Sequence, residues 1–173
     1  LTDINDLPEL YRAFSSSNDP CLKNMLLDLA TNNETSFFRD SKVFAAIQKM
    51  IFQESHFDSL KSGVPLRIWS AASSSGQEAI SVALTIQEGC KACTRPISYH
   101  IYGSDISDRI LQKAKEGRYS QLEVSRGLTP HHLQTYFKQD EHGFWKIHPS
   151  VSDHISFKKI NLKESIIWPE PFD

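Results

Sequence analysis

At Leu66-Arg67-Ile68-Trp69-Ser70-Ala71-Ala72-Ser73-Ser74-Ser75-Gly76-Gln77-Glu78 the chain changes character. Leu66 to Ser70 reads as a short strand, Ala71 to Gly76 as a turn of small side chains, and Gln77 to about Glu88 as a helix. Downstream, Cys90 to Pro96 reads as a loop, Ser98 to Gly103 as a second strand ending at Ser104-Asp105, and Ile106 to Glu116 as a helix with Ile110, Leu111 and Ala114 on one face. Pro130 to Tyr136 reads as a short helix and Phe144 to His148 as a short strand. Ile155 to Ile160 is a third good strand, ending at Asn161-Leu162. Strand and helix in alternation are the pattern of a parallel sheet with crossover helices, an α/β fold.

Upstream the pattern is helical. Leu22, Met25, Leu26, Leu29 and Ala30 recur at three- and four-residue spacing in a helix that stops at Asn32-Asn33. A further helix is expected from about Ser41 to Gln53, with Val43, Phe44, Ile47, Met50 and Ile51 on its buried stripe. Residues 1–20 are rich in Asp, Asn, Ser and Pro, and the run at 15–20 reads as a loop.

The 173 residues, 39% hydrophobic and 23% charged, suffice for one compact domain with a small appendage and exclude a wholly disordered chain. Seven Gly and eight Pro exclude a collagen-like or linker-dominated architecture. The net charge of −2 argues against a nucleic-acid binder driven by bulk positive charge. It is unevenly spread: residues 1–40 hold three basic residues against seven acidic ones, so an acidic leader precedes a mildly basic body. No apolar run approaches the ~18 residues of a spanning helix, and LTDINDLPEL lacks the basic start and apolar stretch of a signal peptide. Three cysteines, an odd number, suit a reducing compartment. A cytoplasmic protein without direct membrane insertion is expected.

In an open parallel sheet, ligands bind outside the carboxyl ends of the strands. Here those ends supply Ala71 to Glu78, Asp105 and Asn161. Small side chains in the first turn admit a ligand close to the backbone, and a helix N-terminus offers free N–H groups. An acid at the end of the second strand suits the two hydroxyls of a ribose. Against this nucleoside reading stands ordinary turn and capping chemistry, because the turn holds one glycine, not three, and an Asp after a strand is also a helix cap. Cys90-Lys91-Ala92-Cys93 has the spacing of half a zinc site or a redox pair but lacks a second pair, so a plain loop is the reading preferred. His131-His132 reads as a helix N-terminal turn, and Trp69, Phe44 and Phe52 as core.

The residues also carry a resemblance. Asn33-Glu34-Thr35-Ser36-Phe37-Phe38-Arg39-Asp40 resembles the NxTxFFR motif of the CheR family, chemotaxis receptor methyltransferases that move a methyl group from S-adenosylmethionine to receptor glutamates. The stretch from Leu66 to Glu78 is similar to that family's R-I-W-S-A-A-C/A-S-T-G-E-E. Ser104-Asp105-Ile106-Ser107, Gly117-Arg118-Tyr119, Arg126-Gly127-Leu128, Tyr136-Phe137, Phe157 with Asn161-Leu162, and Pro171-Phe172-Asp173 follow in the family's order. The resemblance implies a class I methyltransferase fold, a Rossmann-like doubly wound sheet, with residues 1–55 as a helical N-terminal segment and 56–173 as the N-terminal part of the cofactor-binding domain. It implies that Asn33, Thr35 and Arg39 contact the methionine part of the cofactor and that Glu78 lies beside it. Asp105 would take the ribose hydroxyls, and Asn161 and Leu162 would flank the adenine. Arg39 is the implied catalytic positioning charge; the residues alone make it a surface side chain paired with Asp40 or Glu34. No metal is expected.

The implied activity is methylation of glutamates in the cytoplasmic helical region of methyl-accepting chemotaxis receptors, giving methyl esters and S-adenosylhomocysteine. The alternative is a non-catalytic sensor or scaffold of the same type that holds S-adenosylmethionine or its product. Gln77, Ala79 and Ile80 depart from the family's G-E-E-P-Y-S, while Glu78 is retained. The basic helix that usually opens the family's N-terminal domain is missing, in line with the acidic leader. The family's later parts, a further strand, an Asn and a Tyr at the reaction centre and a small antiparallel subdomain, are expected beyond residue 173. The chain is thus expected to be a fragment, inactive alone, with Leu66 to Ser70 as an exposed sheet edge through which it self-associates.

Overall fold

The structure, a computed structural model, describes residues 6–16, 20–52, 64–93 and 96–173. They form two compact units, Leu1–Asn32 and Asn33–Asp173. In the first, α1 (Leu7–Ser16) and α2 (Pro20–Ala30) are helical. The helix α1 corrects the reading of residues 15–20 as loop at its near end, and the composition of residues 1–20 did not suggest it. Asp6 explains its start, because its carboxylate accepts the Glu9 N–H at 2.7 Å as a helix cap does.

The second unit begins with the Asn33–Arg39 segment and α3 (Ser41–Phe52), which packs on α4 (Gln77–Cys93) and buries Phe44 and Ile51. A division of the chain after residue 55 and this division after Asn32 differ by the segment that holds α3. Its apolar stripe lies with the sheet-side core, while Val43 and Met50, expected on that stripe, are exposed. Residues at 3- and 7-residue spacing from one another share a helix face, and here two such faces were apolar.

The central sheet is parallel. β1 (Leu66–Ala71) pairs with β2 (Tyr99–Asp105) from Leu66↔Tyr99 to Ala71↔Ser104, and β2 pairs with β6 (Ile155–Lys159) from Ile101↔Ile155 to Asp105↔Lys159. The order β1-β2-β6 leaves β1 at the margin, as expected, yet both backbone groups of Arg67 are taken. Its N–H donates to Asp173 Oδ2 at 2.8 Å, and its carbonyl accepts the Asp173 N–H at 3.0 Å. The crossovers are α4 and α5 (Asp108–Glu116), the latter capped by Ser107 at its start and by left-handed Gly117 at its end.

Between α5 and β6 lie β3 (Arg118–Tyr119), α6 (Gln121–Ser125), α7 (Pro130–Tyr136), β4 (Phe137–Gln139), β5 (Trp145–Ile147) and α8 (Pro149–Ser152). The strands form a separate antiparallel sheet in the order β3-β5-β4. This small antiparallel sheet was not anticipated from the sequence; its strands are two or three residues long, too short for a period to show. The expected loop at Cys90 to Pro96 is also corrected: α4 continues through Cys93, so both thiols sit on its last turn. Burial pushes the Cys90 thiol up, with Cys93 adding to it. Among the described residues no group of three or more His, Cys, Asp or Glu could hold a metal ion, and no helix is long and apolar enough to cross a membrane.

Candidate functional site

The turn between β1 and α4 is built on three residues of positive φ. Ala72, Ser74 and Gly76 have φ of 55°, 49° and 91°. A left-handed conformation costs an L-residue about 1–2 kcal/mol, so Ala72 and Ser74 adopt it only because their surroundings hold them there. The turn is braced by Ser73 N–H to Ser104 O (2.7 Å), Gly76 N–H to Ser73 O (3.0 Å) and the Tyr119 hydroxyl to Ser75 O (2.8 Å). Burial, with Glu123 adding to it, pushes the Tyr119 phenol far above its ordinary value, which keeps it a donor. At Gly76 a side chain would meet Phe157 Cζ at 3.0 Å and Ala114 Cβ at 3.3 Å in addition to the strained φ.

Asp105 closes the far side of this turn. It is 8% exposed; its Oδ2 accepts the Ser74 N–H at 2.9 Å and its Oδ1 the Ser107 N–H at 3.1 Å. Each carboxylate oxygen retains a second acceptor site. The Ile160 N–H donates to Asp105 O at 2.9 Å, which sets Asn161 next to the end of β2. There the Asn161 amide donates to Glu164 and its oxygen accepts the Lys163 N–H. Leu162 is 53% exposed. Glu78, exposed in the first turn of α4, accepts the Ser70 hydroxyl at 2.6 Å, which ties the end of β1 to the start of the helix. Ser73 Oγ is buried at the same turn without a hydrogen-bond partner, a place where a polar ligand atom would satisfy it.

The Asn33–Arg39 segment is fastened onto this turn. The Ser74 hydroxyl donates to Asn33 O at 2.9 Å, and the Phe38 N–H donates to the hydroxyl of fully buried Ser81 at 3.0 Å. Phe37, 1% exposed, meets Tyr119 and Phe137 edge-on at 5.0 and 5.9 Å. Phe38 is left-handed with φ 47°, and its ring lies between Phe44 and His132, stacked on the latter at 5.0 Å and 16°. His132 is itself fixed: its Nδ1 accepts the Thr129 N–H at 3.2 Å, and its Nε2 lies 3.4 Å from Glu88 Oε1. Gly127 (φ 110°) passes so close under Phe37 that a Cβ there would fall 1.9 Å from the Phe37 carbonyl oxygen. Arg39 is exposed and donates to Glu34 O at 3.3 Å, so its observed partner is a backbone carbonyl.

The structure thus brings Asn33, Asp105 and the Ala71–Gly76 turn together through Ser74, joins Glu78 to them through Ser70, and sets Asn161 beside Asp105. Thr35 and Arg39 lie on the segment that Asn33 and Phe38 anchor. Sequence reasoning did not single out Ser74, Ser81, Tyr119 or His132 as parts of this assembly. Ser74 lay within the turn expected at the strand end and Tyr119 within a matched motif, yet no pattern gave either its bracing role, and nothing in the spacing marked Ser81 or His132.

Residues 33–173 match the family described as CheR methyltransferase, SAM binding domain. The chain is similar to chemotaxis protein methyltransferase 1 of Pseudomonas aeruginosa, 36% identical over 172 residues that cover 98% of this chain and 62% of that protein. It is similar to chemotaxis protein methyltransferase 1 of Vibrio cholerae, 34% identical over 98% of this chain and 61% of the relative. The chemotaxis protein methyltransferase of Escherichia coli is 31% identical over 83% of this chain and 48% of its own length. The chain spans about 62% of the length of the first of these curated relatives.

Proposed function

The chain belongs to the CheR methyltransferase family, and from that premise we propose that the protein methylates glutamate side chains in the helical cytoplasmic region of methyl-accepting chemotaxis receptors. S-Adenosylmethionine is the methyl donor of the matched domain. The observation that carries the reading is Asp105, a nearly buried carboxylate at the end of β2 that is held by the Ser74 N–H of a left-handed turn and keeps acceptor capacity for a diol. In this reading Asp105 takes the ribose hydroxyls, Asn33, Thr35 and Arg39 hold the amino-acid part, Glu78 lies beside the cofactor, and Asn161 and Leu162 flank the adenine. The partnerless Ser73 hydroxyl fits a ligand seated on the turn.

When bound, the cofactor supplies a methyl group on a sulfonium, already a good leaving group. The acceptor carboxylate, with an ordinary pKa of about 4.3, is ionised at neutral pH and needs no general base. The residues are therefore left with alignment and exclusion of water. Arg39, exposed on an anchored segment, is the positioning charge for the acceptor.

The test is base-labile transfer of labelled methyl groups from S-adenosylmethionine to receptor-containing membranes by the full-length protein, run beside calorimetric titration with S-adenosylhomocysteine. Transfer and binding are expected together. Asp105→Asn, which keeps an acceptor for only one of the two backbone N–H groups that the carboxylate holds, should weaken S-adenosylhomocysteine about tenfold or more and lower the melting temperature by a few degrees. Binding without transfer would leave a non-catalytic sensor or scaffold, and an Asp105→Asn protein of undiminished affinity would remove Asp105 from the site.

A further inference from the structure

We infer that His132 is a positioning residue for the cofactor site. Its imidazole, acting through Phe38, keeps the Asn33–Arg39 segment on the turn that Asp105 closes, and the inference rests on the methyltransferase reading above.

Phe38 is the bend between that segment and α3. Asp40, two residues on, begins the helix: its carboxylate accepts the Lys42 N–H at 3.1 Å and its carbonyl the Val43 N–H at 3.0 Å. With φ 47° the bend is one that an L-residue keeps only where its surroundings hold it. Two restraints do so. On the backbone, the Phe38 N–H donates to Ser81 Oγ at 3.0 Å, and that hydroxyl donates in turn to Gln77 O at 2.7 Å within α4. On the side chain, Phe44 meets the ring edge-on at 5.0 Å and 67°, and His132 lies flat against it at 5.0 Å and 16°. Phe44 moves with α3, one arm of the bend, whereas His132 reaches it from α7 and ties it to a separate element.

The imidazole is built to hold that pose. It is 9% exposed; Nδ1 accepts the Thr129 N–H at 3.2 Å and Nε2 lies 3.4 Å from Glu88 Oε1, so both ring nitrogens are engaged and the plane of the ring is set. Within α7 His132 occupies the third position of a capping box, its own N–H donating to the Thr129 hydroxyl at 3.2 Å. A glutamate or glutamine ordinarily fills that position and completes the cap with a side-chain oxygen. The cap therefore does not require a ring, and what histidine adds is the flat face turned on Phe38.

The test separates cap from ring in the full-length protein. His132→Gln keeps an acceptor for the Thr129 N–H and removes the ring; His132→Phe keeps the ring and removes the acceptor. Amide hydrogen exchange across residues 33–39, measured without cofactor, reads the segment alone, and calorimetric titration with S-adenosylhomocysteine reads the site. His132→Gln should speed exchange of the segment about tenfold and weaken S-adenosylhomocysteine about fivefold at a little-changed melting temperature. His132→Phe should recover most of both, although its melting temperature falls by a few degrees. A His132→Phe protein as impaired as His132→Gln assigns the histidine to the cap and overturns the inference, as does unaltered exchange in His132→Gln. Faster exchange with undiminished S-adenosylhomocysteine affinity also overturns it, because the segment would then loosen without effect on the site. Neither readout needs turnover, so a wild type that binds S-adenosylhomocysteine but transfers no methyl group sinks the enzymatic reading alone.

Discussion

The two faces of the parallel sheet are closed by different means. On one, Ile101 of β2 meets α4, whose Ala83, Leu84 and Ile86 are fully buried, and Phe157 of β6 packs over Gly103. On the other, Arg67, Trp69 and Tyr102 are covered by the far end of the chain, where Trp168 and Phe172 lie against Trp69 and Tyr102 at 5.6–5.8 Å, and His100 lies beside Tyr102. The Arg67 guanidinium lies 5.2 Å from both the Tyr102 and Phe172 rings, donates to Pro171 O and pairs with Glu170. The first face is mainly aliphatic and buried. The second is aromatic, half-buried and polar, with Arg67 Nε and Trp168 Nε1 buried without partners. The first face joins Gly103 to Phe157 across fewer residues than the second, which joins Arg67 to Asp173 across 106 residues, a closure that costs more chain entropy.

The largest effect should come from the aliphatic face. Leu84→Ala leaves a cavity among fully buried neighbours and should cost about 2–5 kcal/mol in urea unfolding. Phe172→Ala removes a half-buried ring that the solvent already reaches and should cost about 1–2 kcal/mol. A Phe172→Ala loss equal to that of Leu84→Ala would mean that the aromatic face is a second core and the contrast is false. The smallest effect should be a pH dependence confined to the aromatic face. Burial pushes the His100 imidazole down, and the charges of His154 and Arg67 add to it, while Ser156 is its hydrogen-bond partner at 2.9 Å. A histidine lowered in the folded state is protonated first in the unfolded chain. Stability should therefore hold above pH ~6.5 and fall as the pH drops from there through the folded pKa. Denaturant midpoints between pH 5 and 8 should show this slope, and His100→Gln should flatten it.

Much of the fold was legible because it rests on local pattern. The strands at Leu66, Tyr99 and Ile155 alternate or run apolar over five or more residues, and the helices between them keep their stripe. The antiparallel strands at Arg118, Phe137 and Trp145 were not legible as a sheet, since two or three residues carry no period and their partners lie up to 28 positions apart. The reach of α4 to Cys93 was hidden because Gly89 and two cysteines read as a break; Gly89 is there to admit the ring of Phe52, whose Cε2 would lie 2.1 Å from an added Cβ. At the candidate site, Asp105 and the Ala71–Gly76 turn could be named from strand ends alone. The bracing of the turn by Tyr119, and the anchoring of Phe38 by Ser81 and His132, could not, because each joins elements far apart in sequence.

By itself the sequence determined the alternation of strand and helix, the chemistry available at the strand ends and the family to which the chain belongs, all properties carried by nearest neighbours and short motifs. Only the tertiary structure decided which of those residues meet. It set the left-handed turn onto Asp105, locked the Asn33–Arg39 segment over it through Ser74, Ser81 and Gly127, and laid His132 against Phe38. Such contacts depend on the packing of elements tens of residues apart, and no local pattern encodes the distance between two side chains that only a folded core brings together.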